Sequence, residues 1–418
     1  MNFQTQADLL TYLYHLPRLH PKSDLSYMKR VLAQLRHPER QVKTVHVTGT
    51  NGKGSTSYYL SRLIQRAGRK TGLFVSPYVQ VFNERIQVAG QNISEARLLQ
   101  VAELVQQAID QLQLTTADFV LTTFEFEVVM AFVTFSLTHC EYAVIEVGIG
   151  GTHDKTNVII PECSVITTVG MDHEDLIGPT LADIAREKSG VIKAGRPVVL
   201  GKIPPAVRTI ILKRATQLAA PVYELGQAFQ VTTGAGLQVQ VSQQVFKLPW
   251  YPLVEGYDIA MAVQVLQILK LQLTPAEIIA SIKETVIPGR YQIRAQQPLV
   301  ILDGGHNLQA ISHLLTFVRT EQQRRQGKVH VLIGMMKDKD LAEIFQLFDD
   351  SEQLTLTAID YPRAARRTDF PQFVQDKYPF VQDYRCAYVQ LKAQSKPNDI
   401  LLVTGSFYLV SEILQIGD

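Results

Sequence analysis

The chain has 418 residues, which at about 100 to 200 residues per domain allows two or three domains, each able to bury its own core. Lys and Arg number 41 against 39 Asp and Glu, a formal charge of +2, so no global positive field makes nucleic acid or an anionic membrane surface the default partner. A content of 46% hydrophobic and 19% charged residues excludes a disordered chain.

In chain order, Met1 to Leu10 lacks the basic start and apolar stretch of a signal peptide. No apolar run approaches the roughly 18 residues that span a bilayer, so a cytoplasmic protein is expected. The first clear unit is VKTVHV from Val42, a β-branched run, then the glycine-rich turn TGTNGKGS, then STSYYLSRLIQRA at helical spacing, ended by Gly68. GLFVS reads as a second strand. Ser94 is the expected N-cap of a helix through Leu98, Leu99, Leu104 and Val105, whereas FEFEVVMAFVTFSL from Phe124 is apolar nearly all round and predicts a buried helix. The strands YAVIEV and SVITTV end at Val147 and Val169, and each runs into a loop rich in Gly, Asp and His. Open α/β sheets place ligands at such strand ends.

The stretch from about 201 to 287 is β-rich around QVTTGAGLQVQVSQQVFKL and helical from Tyr257 to Leu271, and is assigned to the first domain. After Pro288-Gly289-Arg290, the strands of PLVILDGGHN, VHVLIGM, LTLTAID and DILLVTGS alternate with helical or loop segments, the pattern of a second, doubly wound sheet. The expected domains are 1–295 and 296–418. Cys140, Cys163 and Cys386 are odd in number and far apart, which argues for buried thiols rather than disulfides or a Cys-type zinc site.

The strand, turn and helix around Thr48-Gly49-Thr50-Asn51-Gly52-Lys53-Gly54-Ser55 predict binding of a nucleoside triphosphate. Glycines let backbone N–H groups close around phosphate oxygens and the helix N-terminus favours negative charge. Lys53 can pair with the terminal phosphates, and Ser55 can reach a metal. The loop departs from the standard pattern because Gly54 separates the lysine from the hydroxyl.

TGTNGKGS, SPYVQVFNERI from Ser76, EVGIGGTHDKTN from Glu146, MDHEDLIG from Met171, IAREKSGVIK from Ile184, LDGGHN from Leu302 and VTGSFYLVSE from Val403 resemble, in this order, the motifs of the folylpolyglutamate synthase and dihydrofolate synthase family of Mur-type ligases. The resemblance spans roughly residues 40 to 415. It implies an α/β fold, with a P-loop-containing Mur-ligase-like ATPase domain and a smaller Rossmann-like C-terminal domain. The implied reaction has ATP phosphorylate a folate carboxylate, after which the amine of L-glutamate attacks the acyl phosphate. A carboxylate is inert to amines until one oxygen becomes a phosphate leaving group, and bringing two anions together requires cations aimed at the phosphates.

The resemblance also implies site residues. Lys53, Glu146, His173 and Lys188 carry the catalysis, and Thr50, Asn51, Gly52, Lys53, Gly54 and Ser55 hold ATP with Arg290 near phosphate and Asp303 near ribose. Ser55, Ser76, Glu146 and His173 match magnesium ligands, with Lys188 matching a lysine whose carbamylation supplies a carboxylate to a second ion. That reaction needs a neutral amine, which burial or neighbouring cations provide. Thr122, Thr123, Phe124, Glu125 and Asp154 match the folate side, while His306, Asn307 and Ser406 match positions for glutamate or phosphate. Residues split in this way between two domains imply that catalysis requires the halves to meet. Thr152-His153 stands where Arg-Leu is common, Met261 where a nucleotide-contacting Asn is expected, and Gln292 in place of a frequent Glu. GMMKDKD at Gly334–Asp340 resembles a further motif with no role assigned to its charges.

The expectation is therefore an ATP- and magnesium-dependent ligase acting as a monomer on folate and L-glutamate, without nucleic-acid or membrane partners. The alternatives are dihydrofolate synthase, alone or as a second activity, and an inactive nucleotide-binding paralogue. Retention of Lys53, Ser55, Glu146, His173 and Lys188 together argues against the last. Only 47 residues precede Thr48, too few for the UDP-sugar domain expected of a cell-wall Mur ligase. Gly148-Ile149-Gly150-Gly151 lacks the spacing of a dinucleotide-binding turn.

Overall fold

The strand that carries the glycine-rich turn, β1 (Lys43–Thr48), is buried along all but its first residue. It takes its place among β2 (Thr71–Phe74), β3 (Ile86–Val88), β4 (Gln91–Asn92), β5 (Tyr142–Glu146), β6 (Cys163–Thr168), β7 (Val198–Lys202) and β8 (Val222–Glu224). These eight strands form one sheet in the order β4-β3-β2-β5-β1-β6-β7-β8. From β2 to β8 the neighbours are parallel, and β3 and β4 add an antiparallel edge. Order and direction bring the C-terminal ends of β2, β5, β1 and β6 side by side, so four loops converge there.

The computed structural model describes residues 3–18, 20, 24–172, 174–234, 236–248 and 251–417. Its contacts divide into Met1–Tyr78 with Phe82–Thr285, and Val79–Val81 with Val286–Asp418. In the first unit the expected buried helix is Thr123–Leu137, opened by a capping box between Thr122 and Glu125. Its Phe126, Phe132 and Phe135 are fully buried, and each such side chain contributes about 1.5 to 3 kcal/mol of burial. The same core includes Leu9 and Leu13 from helix Gln6–His15, and Met28, Val31 and Leu32 from helix Ser26–Gln34. Ser94 caps helix Glu95–Gln113 by accepting the Arg97 N–H.

The β-rich stretch before Pro288 forms β9 (Phe229–Thr233), β10 (Leu237–Val241) and β11 (Gln244–Leu248), an antiparallel meander, followed by helix Leu253–Ile268. Gly256 lets that helix approach the meander, since a Cβ there would meet Leu237 and Val231 at 3.0 Å. The opposite face packs on helix Lys53–Arg66: Tyr59 donates to Glu255, and Thr56 donates to Asp258 at 3.1 Å.

The second unit holds β12 (Gln292–Gln296), β13 (Leu299–Leu302), β14 (Val329–Ile333), β15 (Glu352–Thr357), β16 (Phe380–Val381) and β17 (Ile400–Thr404), in the order β12-β13-β17-β14-β15-β16. All pairs are parallel except β12 with β13. Where the sequence put the boundary near residue 295, β12 already belongs to this second sheet, and the contact division falls after Thr285. Its QIRAQ alternation carries too little apolar signal to mark an edge strand. Among the described residues no helix is long and apolar enough to cross a membrane.

Candidate active site

Two glycines of the turn after β1 are fixed by their surroundings. Gly49 has φ +157°, and a Cβ there would lie 1.8 Å from Thr167 Oγ1. Gly52 has φ +85°, and a Cβ would lie 2.4 Å from Asp258 Oδ1. Only glycine fits either place. The end of β6 holds the turn: Asn51 N–H donates to Thr168 Oγ1 at 2.9 Å, Thr167 Oγ1 donates to Asn51 O at 2.5 Å, and Thr50 N–H donates to Thr168 O at 3.0 Å. Thr50 Oγ1 donates to Gly170 O at 3.0 Å. Lys53 Nζ folds over the loop and donates to the carbonyls of Gly49 at 2.9 Å and Thr50 at 3.2 Å. The chain thus forms a cationic cradle at a helix N-terminus, which fits a polyphosphate.

Glu146, at the end of β5, faces that cradle. A Cβ on Gly54 would lie 3.7 Å from its Oε1, and the Ser76 N–H donates to its Oε2 at 3.0 Å. Ser55, on the first turn of the loop helix, is buried. Carboxylate and hydroxyl oxygens suit magnesium. Ser76, expected among the magnesium ligands, meets Glu146 through its backbone N–H. His173 lies outside the described residues. Among the described residues no three of His, Cys, Asp and Glu are gathered as a metal site.

Lys188 is where the fold adds most. A lysine on a capped helix is normally solvated, and Thr180 does cap helix Leu181–Ser189 by accepting the Asp183 N–H. Yet Lys188 is only 4% exposed. Burial first, and the nearby Lys53 second, bring its amine down to about 7, against the opposing pull of Asp172, Asp154 and Glu187. Gly151 permits this packing, because a Cβ there would lie 2.7 Å from Glu187 O and 3.0 Å from Lys188 O.

Glu187, which sequence reasoning did not single out, ties the loop after β5 to the same helix. Its Oε1 accepts the His153 N–H at 2.9 Å, and its carbonyl accepts the Thr152 N–H at 2.9 Å and Thr152 Oγ1 at 3.1 Å. The two departures Thr152 and His153 thus anchor this loop to the helix of Lys188. His153 Nδ1 also lies 3.0 Å from Glu187 Oε2.

Two folate-side residues, Asp154 and Glu125, bond within the protein. Asp154 is 6% exposed. Its Oδ2 accepts the Ile149 N–H at 2.9 Å, and its Oδ1 accepts the Thr156 N–H at 2.9 Å together with the Thr156 hydroxyl. Burial raises its carboxyl while these bonds pull it down. His46 Nε2 lies 2.8 Å from Thr156 Oγ1, and burial lowers that imidazole to about 3. A neutral His46 therefore donates to Thr156, which donates to Asp154, and the chain of bonds shapes the loop. Glu125 has no exposed side-chain surface. It accepts the Thr122 N–H at 2.8 Å and lies 2.8 Å from His20 Nε2 and 3.2 Å from Lys155 Nζ. Its carboxylate is thus engaged by Thr122, His20 and Lys155 within the protein.

Thr123 and Phe124 are partly accessible. Phe124 packs on Gly148, where a Cβ would lie 2.7 Å from its ring, and its centroid is 5.9 Å from that of Phe74. Glu125→Ala is expected to lower unfolding free energy by about 3 kcal/mol, since it breaks a capping box and leaves Lys155 and His20 without their buried acceptor. Urea denaturation measures this, and Glu125→Gln should lose less.

In the second unit, residues scattered in sequence meet at the ends of β13 and β17. Arg290 stacks its guanidinium 4.4 Å from the Phe407 ring centroid. The same ring lies behind Gly304, where a Cβ would come within 2.5 Å of it, and 6.3 Å from His306. Phe407, missed in the sequence, is thus the packing centre; its signal was its place directly after Ser406. Asp303, expected near ribose, is 3% exposed and accepts the backbone N–H groups of Tyr291 at 2.9 Å and Gly305 at 2.7 Å. It fixes the turn that presents Arg290. Burial raises its carboxyl, with Arg290 opposing.

Asn307 and Ser406 cap helices Leu308–Arg325 and Phe407–Gln415, accepting from Ala310 N–H at 2.9 Å and Tyr408 N–H at 3.1 Å. Capping uses their acceptor oxygens. Gln292 accepts the Gly289 N–H at 2.9 Å through Oε1, a bond its amide makes as well as a carboxylate would. Met261 is 1% exposed and packs on Gly201, where a Cβ would lie 2.7 Å from its Sδ.

A phosphate cradle faces a strand-end acid in one unit, Arg290 packs beside a mostly parallel sheet in the other, and two family models place the protein in the Mur ligase class. The Mur ligase middle domain model matches residues 47–244, and the model of the Mur ligase, glutamate ligase domain matches 289–407. The chain is 30% identical to the folylpolyglutamate synthase of Lacticaseibacillus casei, with 98% of each chain covered. It is 29% identical to the dihydrofolate synthase/folylpolyglutamate synthase of Bacillus subtilis, over 98% of this chain and 99% of that one. The solved structure of Escherichia coli FolC in complex with DHPP and ADP superposes with a TM-score of 0.86 at 26% identity, covering 99% of this chain and 97% of that one. The apo form of the L. casei enzyme gives 0.85 at 29% identity, with 99% of each chain covered. This chain belongs to the folylpolyglutamate synthase/dihydrofolate synthase family.

Proposed function

We propose that the protein is an ATP-dependent ligase that adds L-glutamate to the γ-carboxylate of a tetrahydrofolate or its polyglutamates through an acyl phosphate. The observation that carries this reading is the convergence of the phosphate cradle, Glu146 and the buried Lys188 at neighbouring strand ends, in a chain related over its full length to enzymes of that name. Solved relatives hold ADP with DHPP, and AMPPNP with a manganese ion. In this chain Lys53 and the loop amides would hold the ATP phosphates. Ser55, Glu146 and His173 would hold magnesium, and a carbamate on Lys188 would serve a second ion. Bound magnesium would screen the charge between phosphate and carboxylate.

Arg290 meets negative charge as a stacked, permanently charged guanidinium. His306, Asn307 and Ser406 present donors for a glutamate carboxylate. The proposed domains are the nucleotide-binding portion up to about residue 285 and the glutamate-ligase portion after it, in a cytoplasmic monomer. Dihydrofolate synthase activity is the second reading, favoured by the partly exposed Phe124 ring beside Gly148, which offers a face to a pteridine. Phosphate release with ATP and glutamate, offered tetrahydrofolate or dihydropteroate in turn, tests both. Release is expected with tetrahydrofolate. Release with dihydropteroate alone would shift the assignment to the second reading, and release with neither defeats the ligase.

A further inference from the structure

The back of the phosphate loop is lined with acid. Asp258 is 6% exposed and Glu255, one turn before it, 4%, and both sit on the face of helix Leu253–Ile268 that packs against the loop helix. Asp258 Oδ1 accepts the Thr56 hydroxyl at 3.1 Å, and a Cβ on Gly52 would lie 2.4 Å from Oδ1 and 3.2 Å from Oδ2. Its carboxylate therefore lies directly behind the αL residue that opens helix Lys53–Arg66, where the loop amides would receive phosphate. A hydrogen bond to Thr56 and the filling of that space need only an oxygen acceptor of this shape, which an asparagine also provides. The negative charge does something else: through a buried, weakly screened path it opposes any anion on the other side of the loop.

We infer that Asp258 is a positioning residue whose charge loosens the hold of the phosphate loop on nucleotide, so that the product nucleotide leaves fast enough not to limit turnover. This rests on the nucleotide-binding reading above. Calorimetric titration of the intact protein with ADP separates the two, because failure of the native protein to bind ADP defeats that reading whatever Asp258 does. Given binding, Asp258→Asn is expected to bind ADP about tenfold more tightly, and to lower both KM for ATP and kcat, whereas Asp258→Ala, without the Thr56 acceptor, binds more weakly. A role confined to packing would leave the asparagine variant at the native affinity. Unchanged or weaker ADP binding by a folded Asp258→Asn overturns the inference. Should that variant not fold, Asp258→Gln must show the same tightening, and if neither neutral amide gives a cooperatively melting protein, the charge serves stability and the inference fails.

Discussion

Lys53→Ala is expected to cut ATP-dependent phosphate release about a thousandfold or more while leaving the fold intact. The amine donates to the carbonyls of Gly49 and Thr50, and loop conformation is also held by Thr167, Thr168 and Thr50 at the end of β6. Removal therefore takes away a charge aimed at the cradle without removing what shapes it. Circular dichroism and thermal melting should be close to native. Lys53→Arg should recover little, because a planar guanidinium does not reproduce a compact ammonium at the same reach. A folded Lys53→Ala protein that keeps a tenth of native activity would remove Lys53 from the catalytic machinery.

Lys188→Ala is expected to lower activity by a hundredfold or more, on the order of an essential metal-site carboxylate. In the native protein, carbon-labelled bicarbonate should give a carbamate resonance that Lys188→Ala lacks. Burial and Lys53 hold the amine near 7, so the neutral, reactive form grows as pH rises through 7 and falls away below it. An ordinary lysine would need pH near 10.5. The sign for stability follows: the folded value lies below the unfolded one, so the buried amine costs stability at neutral pH and below. That cost fades as pH rises toward 10.5. Without bicarbonate, Lys188→Met should therefore melt higher than native at pH 7, and the difference should shrink in alkali. A pH-independent difference, with no labelling, would leave Lys188 a packing residue.

Much of the candidate site was legible because its chemistry is local. TGTNGKGS between a β-branched run and a helical one announces a phosphate loop by residue type and spacing alone, and Ser94 announces a helix start. What stayed illegible depends on partners far away in the chain. Glu125 and Asp154 carry the residue types of ligand readers, and nothing local shows that His20, Lys155 and the Ile149 amide already occupy them. The N-terminal helices went unread because Leu9, Leu13, Met28 and Val31 show their purpose only against the aromatic helix they cover.

The amino-acid sequence by itself determined the α/β class, the order of the motifs, the phosphate loop and the family, since periodicity, turn chemistry and motif order are properties of the chain. Only the tertiary structure decided which charges are available to chemistry. Exposure and mutual distance turn a helical lysine into an amine held near 7, bring Glu125 and Asp154 into bonds with the protein's own groups, and make Asp258 the acid behind Gly52. The physical reason is that Coulomb interaction and desolvation depend on separation in space and on the surrounding medium, and folding sets both.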